Sequence, residues 1–138
     1  MWAVESGARM TGSVSGPRAA DWIAENETFV ERRGHRIAYR RRGQGPSLLL
    51  LHGFPSSSYD FRSVIPQLGQ RSWLTLDFLG FGLSAKPRLH RYSLLEQADI
   101  VQQVVAETVA GPVELIAHDM GTSVATELLA RDLEGCLP

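Results

Sequence analysis

Asp119 stands in the pentapeptide Ala117-His118-Asp119-Met120-Gly121, where a short apolar run gives way to a helical period. The pattern is small-x-Asp-x-small. A chain that turns this sharply from strand to helix needs small residues two positions either side of the apex, because larger side chains would collide there. An aspartate at that apex lies at a helix N-terminus, where the dipole and unpaired amides favour its ionised form. Such a carboxylate can attack an electrophilic carbon and form an ester. Equally, it can act as the N-cap of the following helix and nothing more.

Two further loops carry the other unusual residues. In His52-Gly53-Phe54-Pro55 the amide of Phe54 is free to face a ligand, and Pro55 stiffens the exit. With the amide of Met120 it would make a two-donor oxyanion hole. The His52 side chain reads as a packed loop histidine bonded to backbone. The third loop runs from Asp77 through Gly80-Phe81-Gly82-Leu83-Ser84-Ala85, which matches G-x-G-x-x-A. A dinucleotide fingerprint must open directly into a helix, with an acid closing the next strand. Here Pro87 follows at once, and the next acids, Glu96 and Asp99, fall on a helix. The loop therefore reads as a tight turn. His52, Gly53, Pro55, Asp77, Gly80, Gly82, His118 and Gly121 are expected to shape a site around Asp119.

The elements that must position these loops follow from periodicity. Thr28 to Arg33 and His35 to Arg41 alternate around Gly34, a hairpin signal. Ser47 to Leu51, Trp73 to Leu76 and Val113 to Ala117 are apolar on both faces, as buried parallel strands are. Ser58 to Leu68 reads as helical, with Pro66 limiting its last turn. Leu94, Ala98, Val101, Val105 and Val109 recur at helical spacing behind Ser93, with Glu96 completing a capping box. A second amphipathic helix runs from Gly121 to Arg131. The Arg40-Arg41-Arg42 cluster reads as a solvated strand end. Strands alternating with helices give an α/β fold with a right-handed parallel sheet. In such a sheet ligands bind beyond the carboxyl ends of the strands, where all three loops lie.

Composition bounds the function classes. The chain has 138 residues, with 14 Lys+Arg against 15 Asp+Glu, a formal net charge of −1. That balance gives no footprint for nucleic acid or an anionic membrane. The run Leu48 to Leu51 is far too short to span a bilayer. The single Cys136 excludes an internal disulfide and a cysteine metal cluster. No metal or other cofactor is expected. Residues 1–20 read as a disordered lead-in, or as an overlong gene start with Met10 as a second initiator. They lack a secretory signal, and the expected location is cytoplasmic.

Taken together, HGFPSSSYDF, DFLGFGLSAKPR and AHDMG, in this order and spacing, resemble the α/β-hydrolase superfamily from about Thr28 to the last residue. An aspartate at the elbow, with no G-x-S-x-G in the chain, is similar to the epoxide hydrolase and haloalkane dehalogenase branch. The run DFLGFGLSAKPRLHRYSLLEQA looks particularly like the mesoderm-specific transcript subgroup. The resemblance implies that Asp119 is the nucleophile, that the Phe54 and Met120 amides hold the oxyanion, and that a small-molecule substrate is hydrolysed in two steps without cofactor. Haloalkane dehalogenases commonly place Asn at the Phe54 position and Trp at the Met120 position to hold halide. Phe54 suits epoxide hydrolases better, although these usually carry an aromatic residue at the Met120 position. An arginine there, as in haloacid-hydrolysing members, is also missing.

Family members are roughly twice this length. Residues 21–138 are therefore expected to form a partial domain, the N-terminal half of the sheet. The cap, the C-terminal strands, the acid partner and the catalytic histidine are missing, and the chain is marginal alone or a fragment. His118, preceding Asp119 in extended chain, should point away from it. Val113 to Ala117 would present an unpaired edge and a route to self-association. The leading reading is an epoxide hydrolase-type enzyme; the rivals are a haloalkane dehalogenase-type hydrolase and a non-catalytic binding protein on the same scaffold.

Overall fold

The computed structural model describes residues 18–24, 28–44 and 47–135. A five-stranded sheet has the order β1-β2-β4-β3-β5, where β1 is Thr28–Arg32, β2 His35–Arg42, β3 Ser47–Leu51, β4 Ser72–Leu76 and β5 Val113–Ala117. β1 and β2 pair antiparallel through the turn Arg33-Gly34, both at positive φ, as a two-residue hairpin turn matching strand twist requires. β2 joins β4 antiparallel, while β3 runs parallel to both β4 and β5. The expected hairpin followed by parallel strands is therefore present.

β3 lies inside the sheet, and its run of Ser and four Leu is buried on both faces. Alternation divides those leucines. Leu49 and Leu51 join Leu74, Leu76, Ile100, Val101, Val124 and Leu128 under helices α2 (Leu94–Thr108) and α3 (Met120–Leu133). Leu48 and Leu50 point to the other face, against Phe61 and Trp73. Ser93 caps α2 by accepting from the Glu96 amide at 3.1 Å. The reciprocal half of the box is not made, because the Glu96 carboxylate goes to His90 Nε2 at 2.7 Å.

Four expectations are corrected. Ser58 to Leu68 is two 3₁₀ segments, Ser58–Ser63 and Ile65–Gln67, with Ser57 capping the first and Pro66 near the start of the second. β5 is not buried on both faces: Val113, Leu115 and Ala117 pack on the core, while Glu114 and Ile116 face outward and are exposed. No described strand pairs with its outer edge. Arg40 is not a solvated strand end either. It is buried beneath the Trp22 ring at 3.9 Å and donates to the Trp22 carbonyl at 2.5 Å, while Arg41 and Arg42 are exposed. Trp22 belongs to a short helix α1, Ala19–Ala24, so structure begins before Thr28 and within the last residues of the expected lead-in. Residues 1–17 of that lead-in lie outside the described residues, as does Cys136.

Candidate active site

All three loops converge beyond the carboxyl ends of β3, β4 and β5. β5 ends at Ala117 and α3 starts at Met120, leaving Asp119 at the apex with φ 52° and ψ −125°. An L-residue adopts positive φ only where its surroundings hold it there. Gly121 shows what holds it: a Cβ at that position would run into the carbonyl oxygens of Leu51 and His52. The small residue C-terminal to the apex lets α3 lie directly on the end of β3.

The Asp119 side chain caps neither of the amides that an N-cap would serve. Its Oδ1 accepts instead from the Phe54 amide at 2.7 Å, across 65 residues of chain. The amides of Phe54, first, and Met120 hold its carboxyl below the ordinary carboxylate value, with a small contribution from His118 and slight opposition from desolvation. An exposed carboxylate is thus kept ionised and aimed by backbone donors. This is a set of contacts that an ordinary helix cap does not need.

His52 is wholly buried. Its Nε2 lies 3.0 Å from the Phe78 amide, which can only donate, so Nε2 accepts and Nδ1 carries the proton to Gly53 O at 2.9 Å. Burial lowers its pKa, against raising contributions from that Gly53 bond and from Asp77 and Asp60. Its imidazole is a neutral strut between two loops, as the sequence suggested. Gly53 passes between the elbow residues so closely that a Cβ would lie 2.7 Å from both Asp119 Cβ and His118 Cε1. Pro55 follows Phe54 through a cis peptide bond and is exposed. The His118 ring is turned to Asp60 Oδ2 at 3.4 Å and packs edge-on to Phe61.

Asp77 ties the remaining loops together. Its Oδ1 accepts from the Ser58 amide and its Oδ2 from the Leu83 amide, both at 2.8 Å, while its carbonyl accepts from Ser84 Oγ at 2.5 Å. A side chain on Gly82 (φ 48°) would overlap the Asp77 carboxylate. The Gly80 amide bonds to Ala85 O at 2.9 Å and closes the turn. Between the end of β4 at Leu76 and Leu94 no helix begins, so the G-x-G-x-x-A match is a turn and not a nucleotide cradle.

Beside Asp119 opens a cavity of about 370 Å³ lined by Phe54, Gly80, Phe81, Tyr92, Ser93, Leu94, Gln97 and Met120. Sequence reading named neither Phe81, Tyr92 nor Leu94 as site residues. Gln97 was also missed, although a glutamine among the core positions of α2 is itself a signal. Its Oε1 accepts from Leu79 N at 3.0 Å and its Nε2 donates to Leu79 O at 2.9 Å. Among the described residues, no cluster of histidine, cysteine or carboxylate side chains is placed to hold a metal ion. None of the described helices is long and apolar enough to cross a membrane.

Residues 46–136 match the family model described as the alpha/beta hydrolase fold. The chain belongs to the α/β-hydrolase fold family. Within it, this hydrolase-fold chain is 70% identical over 96 residues to the LipZ protein of Mycobacterium tuberculosis, covering 70% of this chain and 33% of LipZ. It is 40% identical to the mouse mesoderm-specific transcript protein, covering 83% of this chain and 36% of that one. It is also 38% identical to a soluble epoxide hydrolase of Corynebacterium sp., covering 67% of this chain and 32% of that enzyme. Among solved structures, a haloalkane dehalogenase variant from Bradyrhizobium elkanii superposes with a TM-score of 0.69 at 34% identity, covering 75% of this chain and 35% of that one. An epoxide hydrolase from Vigna radiata gives 0.68 at 27% identity, covering 78% and 36%. The hydrolase-fold chain thus spans about a third of the length of the relatives it matches.

Proposed function

We propose that this chain carries the nucleophile of an epoxide hydrolase-type reaction. The observation that carries the reading is the Asp119 carboxylate, at the apex of the strand-to-helix turn, ionised and held by the Phe54 amide. In the first step a carboxylate oxygen attacks a ring carbon of the epoxide. The carbon–oxygen bond of the ring breaks, its electron pair moves to the ring oxygen, and that alkoxide takes a proton. In the second step water attacks the ester carbonyl, the Phe54 and Met120 amides stabilise the oxyanion, and collapse returns the carboxylate and a diol. The second step needs a general base. His52 is committed to Phe78 and Gly53, and His118 is turned to Asp60, so neither supplies one. These residues by themselves should therefore alkylate once and stall.

Incubation with styrene oxide followed by intact-mass and peptide mass spectrometry tests this reading. The expected result is a single adduct on Asp119 that Asp119→Asn abolishes. The resemblance to the dehalogenase structure favours a second electrophile, a haloalkane. The apolar Phe54 and Met120 side chains offer no halide donor, so a bromoalkane should react much more slowly. A chain that forms no adduct with either reagent would be the binding scaffold instead.

A further inference from the structure

A formal net charge of −1 sums the whole chain and hides where its charges lie. From Phe78 to Leu95 the sequence holds Lys86, Arg88 and Arg91 and no Asp or Glu. The next acid, Glu96, is already engaged by His90 at 2.7 Å. Elsewhere several arginines meet acids: Arg32 meets Glu107, Arg33 meets Asp99, Arg71 meets Glu114, and Arg131 meets Asp99 and Glu127. Among the described residues, the exposed side chains of Arg88 and Arg91 have neither an ion-pair nor a hydrogen-bond partner. Lys86 reaches only the carbonyls of Gly82 and Ser84, which do not cancel its charge.

Leu89 stands between these arginines and is exposed over its whole surface, at 104%. The loop that carries it is braced. The Ala85 amide donates to Arg36 O at 2.8 Å, and the Tyr92 hydroxyl donates to Pro87 O at 2.9 Å. The His90 ring packs edge-on to His35 and to Tyr92, with centroids at 5.1 and 4.8 Å. His90 thus turns its ring in, while Arg88, Leu89 and Arg91 stay out.

A loop already held in shape loses little freedom when it docks. Its tip is convex, apolar at the point and cationic at the sides. A protein partner would need a pocket fitted to Leu89 and acids placed around it. A bilayer surface offers both without a fixed shape. The leucine enters the acyl boundary, and the guanidinium groups stay among the phosphates with their stems lying along it. Anionic lipid attracts each cation further.

We infer that the loop from Lys86 to Arg91 is a docking site for an anionic bilayer surface, with Leu89 inserted and Lys86, Arg88 and Arg91 at the headgroups. The docking needs nothing from the reading of Asp119 as nucleophile. With one leucine and three cations the attachment is reversible, half-complete at about millimolar accessible lipid.

Vesicle flotation of the unsubstituted chain tests this, since self-associated protein sinks and only lipid-bound protein floats. The chain should float with vesicles of phosphatidylcholine and phosphatidylglycerol in about equal parts, and not with phosphatidylcholine alone. Attachment should weaken at least about fivefold when NaCl is raised from about 0.05 M to about 0.5 M. Arg88→Gln combined with Arg91→Gln should weaken it by about tenfold or more, and Leu89→Ser by about tenfold. None of these exposed side chains has a partner to lose, so the variants should keep their fold. Arg41→Gln removes an exposed arginine at the other end of β2 from His35 and should leave flotation unchanged.

Flotation that is equal with both lipids, absent at that lipid concentration, or unchanged by either set of substitutions overturns the inference. So does an equal loss from Arg41→Gln, which would make the attraction one of overall charge. Absent flotation together with weaker self-association of Leu89→Ser in sedimentation velocity would give the tip to a second copy of this chain, and overturns it as well.

Discussion

Gly53, which has no side chain, governs how Asp119 is held. A methyl group there would press on both Asp119 Cβ and the His118 ring, and the adjoining Phe54 amide would be moved from the carboxylate. Gly53→Ala should therefore slow adduct formation at Asp119 by about tenfold or more, the scale expected when one aligned donor is lost. Stopped-flow or timed mass spectrometry would read this, and an unchanged rate would show that the Phe54 contact does not aim the nucleophile. The same amides keep Asp119 ionised below the ordinary 3.8. The rate of adduct formation should then hold its plateau on the acid side past that value, as long as the chain stays folded. A limb at or above 3.8 would contradict the geometry. His52 has the opposite chemistry. Its folded pKa is lowered from 6.5, mainly by burial, so the unfolded chain binds a proton that the folded chain refuses. Its stabilising contribution is complete above 6.5 and is lost as pH falls from there through the folded value. His52→Ala should cost about 2–4 kcal/mol by urea denaturation at pH 8, through an orphaned Phe78 amide and a cavity.

At the scale of elements, the site depends on loops being fastened to one another more than on any one strand. Asp77, at the end of β4, accepts from the first 3₁₀ segment through Ser58 and from the Gly-rich turn through Leu83. Asp77→Ala leaves two amides without their partner, and the expected loss is about 2–4 kcal/mol in urea denaturation. A loss within about 0.5 kcal/mol would mean that solvent replaces both bonds. Ser93→Ala, which removes only the cap of α2, should cost about 1 kcal/mol. The difference between the two substitutions measures how much more a loop-to-loop clasp contributes than a local cap.

At the scale of the molecule, the sheet ends in two edge strands, β1 and β5. β3 lies between β4 and β5, but no described strand covers the outer edge of β5. Ile116 is exposed there, and so are Leu129 and Leu133 on α3. Unpaired edges of this kind template further pairing. This chain, as it stands, should associate with rising concentration in sedimentation velocity, and Ile116→Lys should shift it toward monomer. A monodisperse monomer at every concentration would refute that expectation. Ion pairs hold the opposite end: Arg131 joins Glu127 and Asp99, and Asp99 also meets Arg33 from the hairpin turn. They link α3 and α2 to the hairpin that starts the sheet.

By itself the sequence determined the element order, the parallel core and the three loops that matter, because those rest on local rules. Apolar runs such as Ser47 to Leu51 must be covered on both faces, and small-x-Asp-x-small between such a run and a helical period leaves room for a tight strand-to-helix turn. His52 was legible as a packed strut for a similar reason, a polar ring between a buried strand and a glycine. What tertiary structure alone decided is everything that depends on distance through space. The Asp119 carboxylate meets the amide of Phe54, 65 residues away, a partner that no local pattern around Asp119 announces. Arg40 looked solvated until Trp22 covered it, and β5 looked buried until its neighbours were counted on one side only. Phe81 lies in the Gly-rich turn and Tyr92 and Leu94 at the start of α2, and they become one wall only where Gly80 lets the Tyr92 ring approach. Periodicity shows which face of an element is apolar, but which other face meets it is decided by the fold.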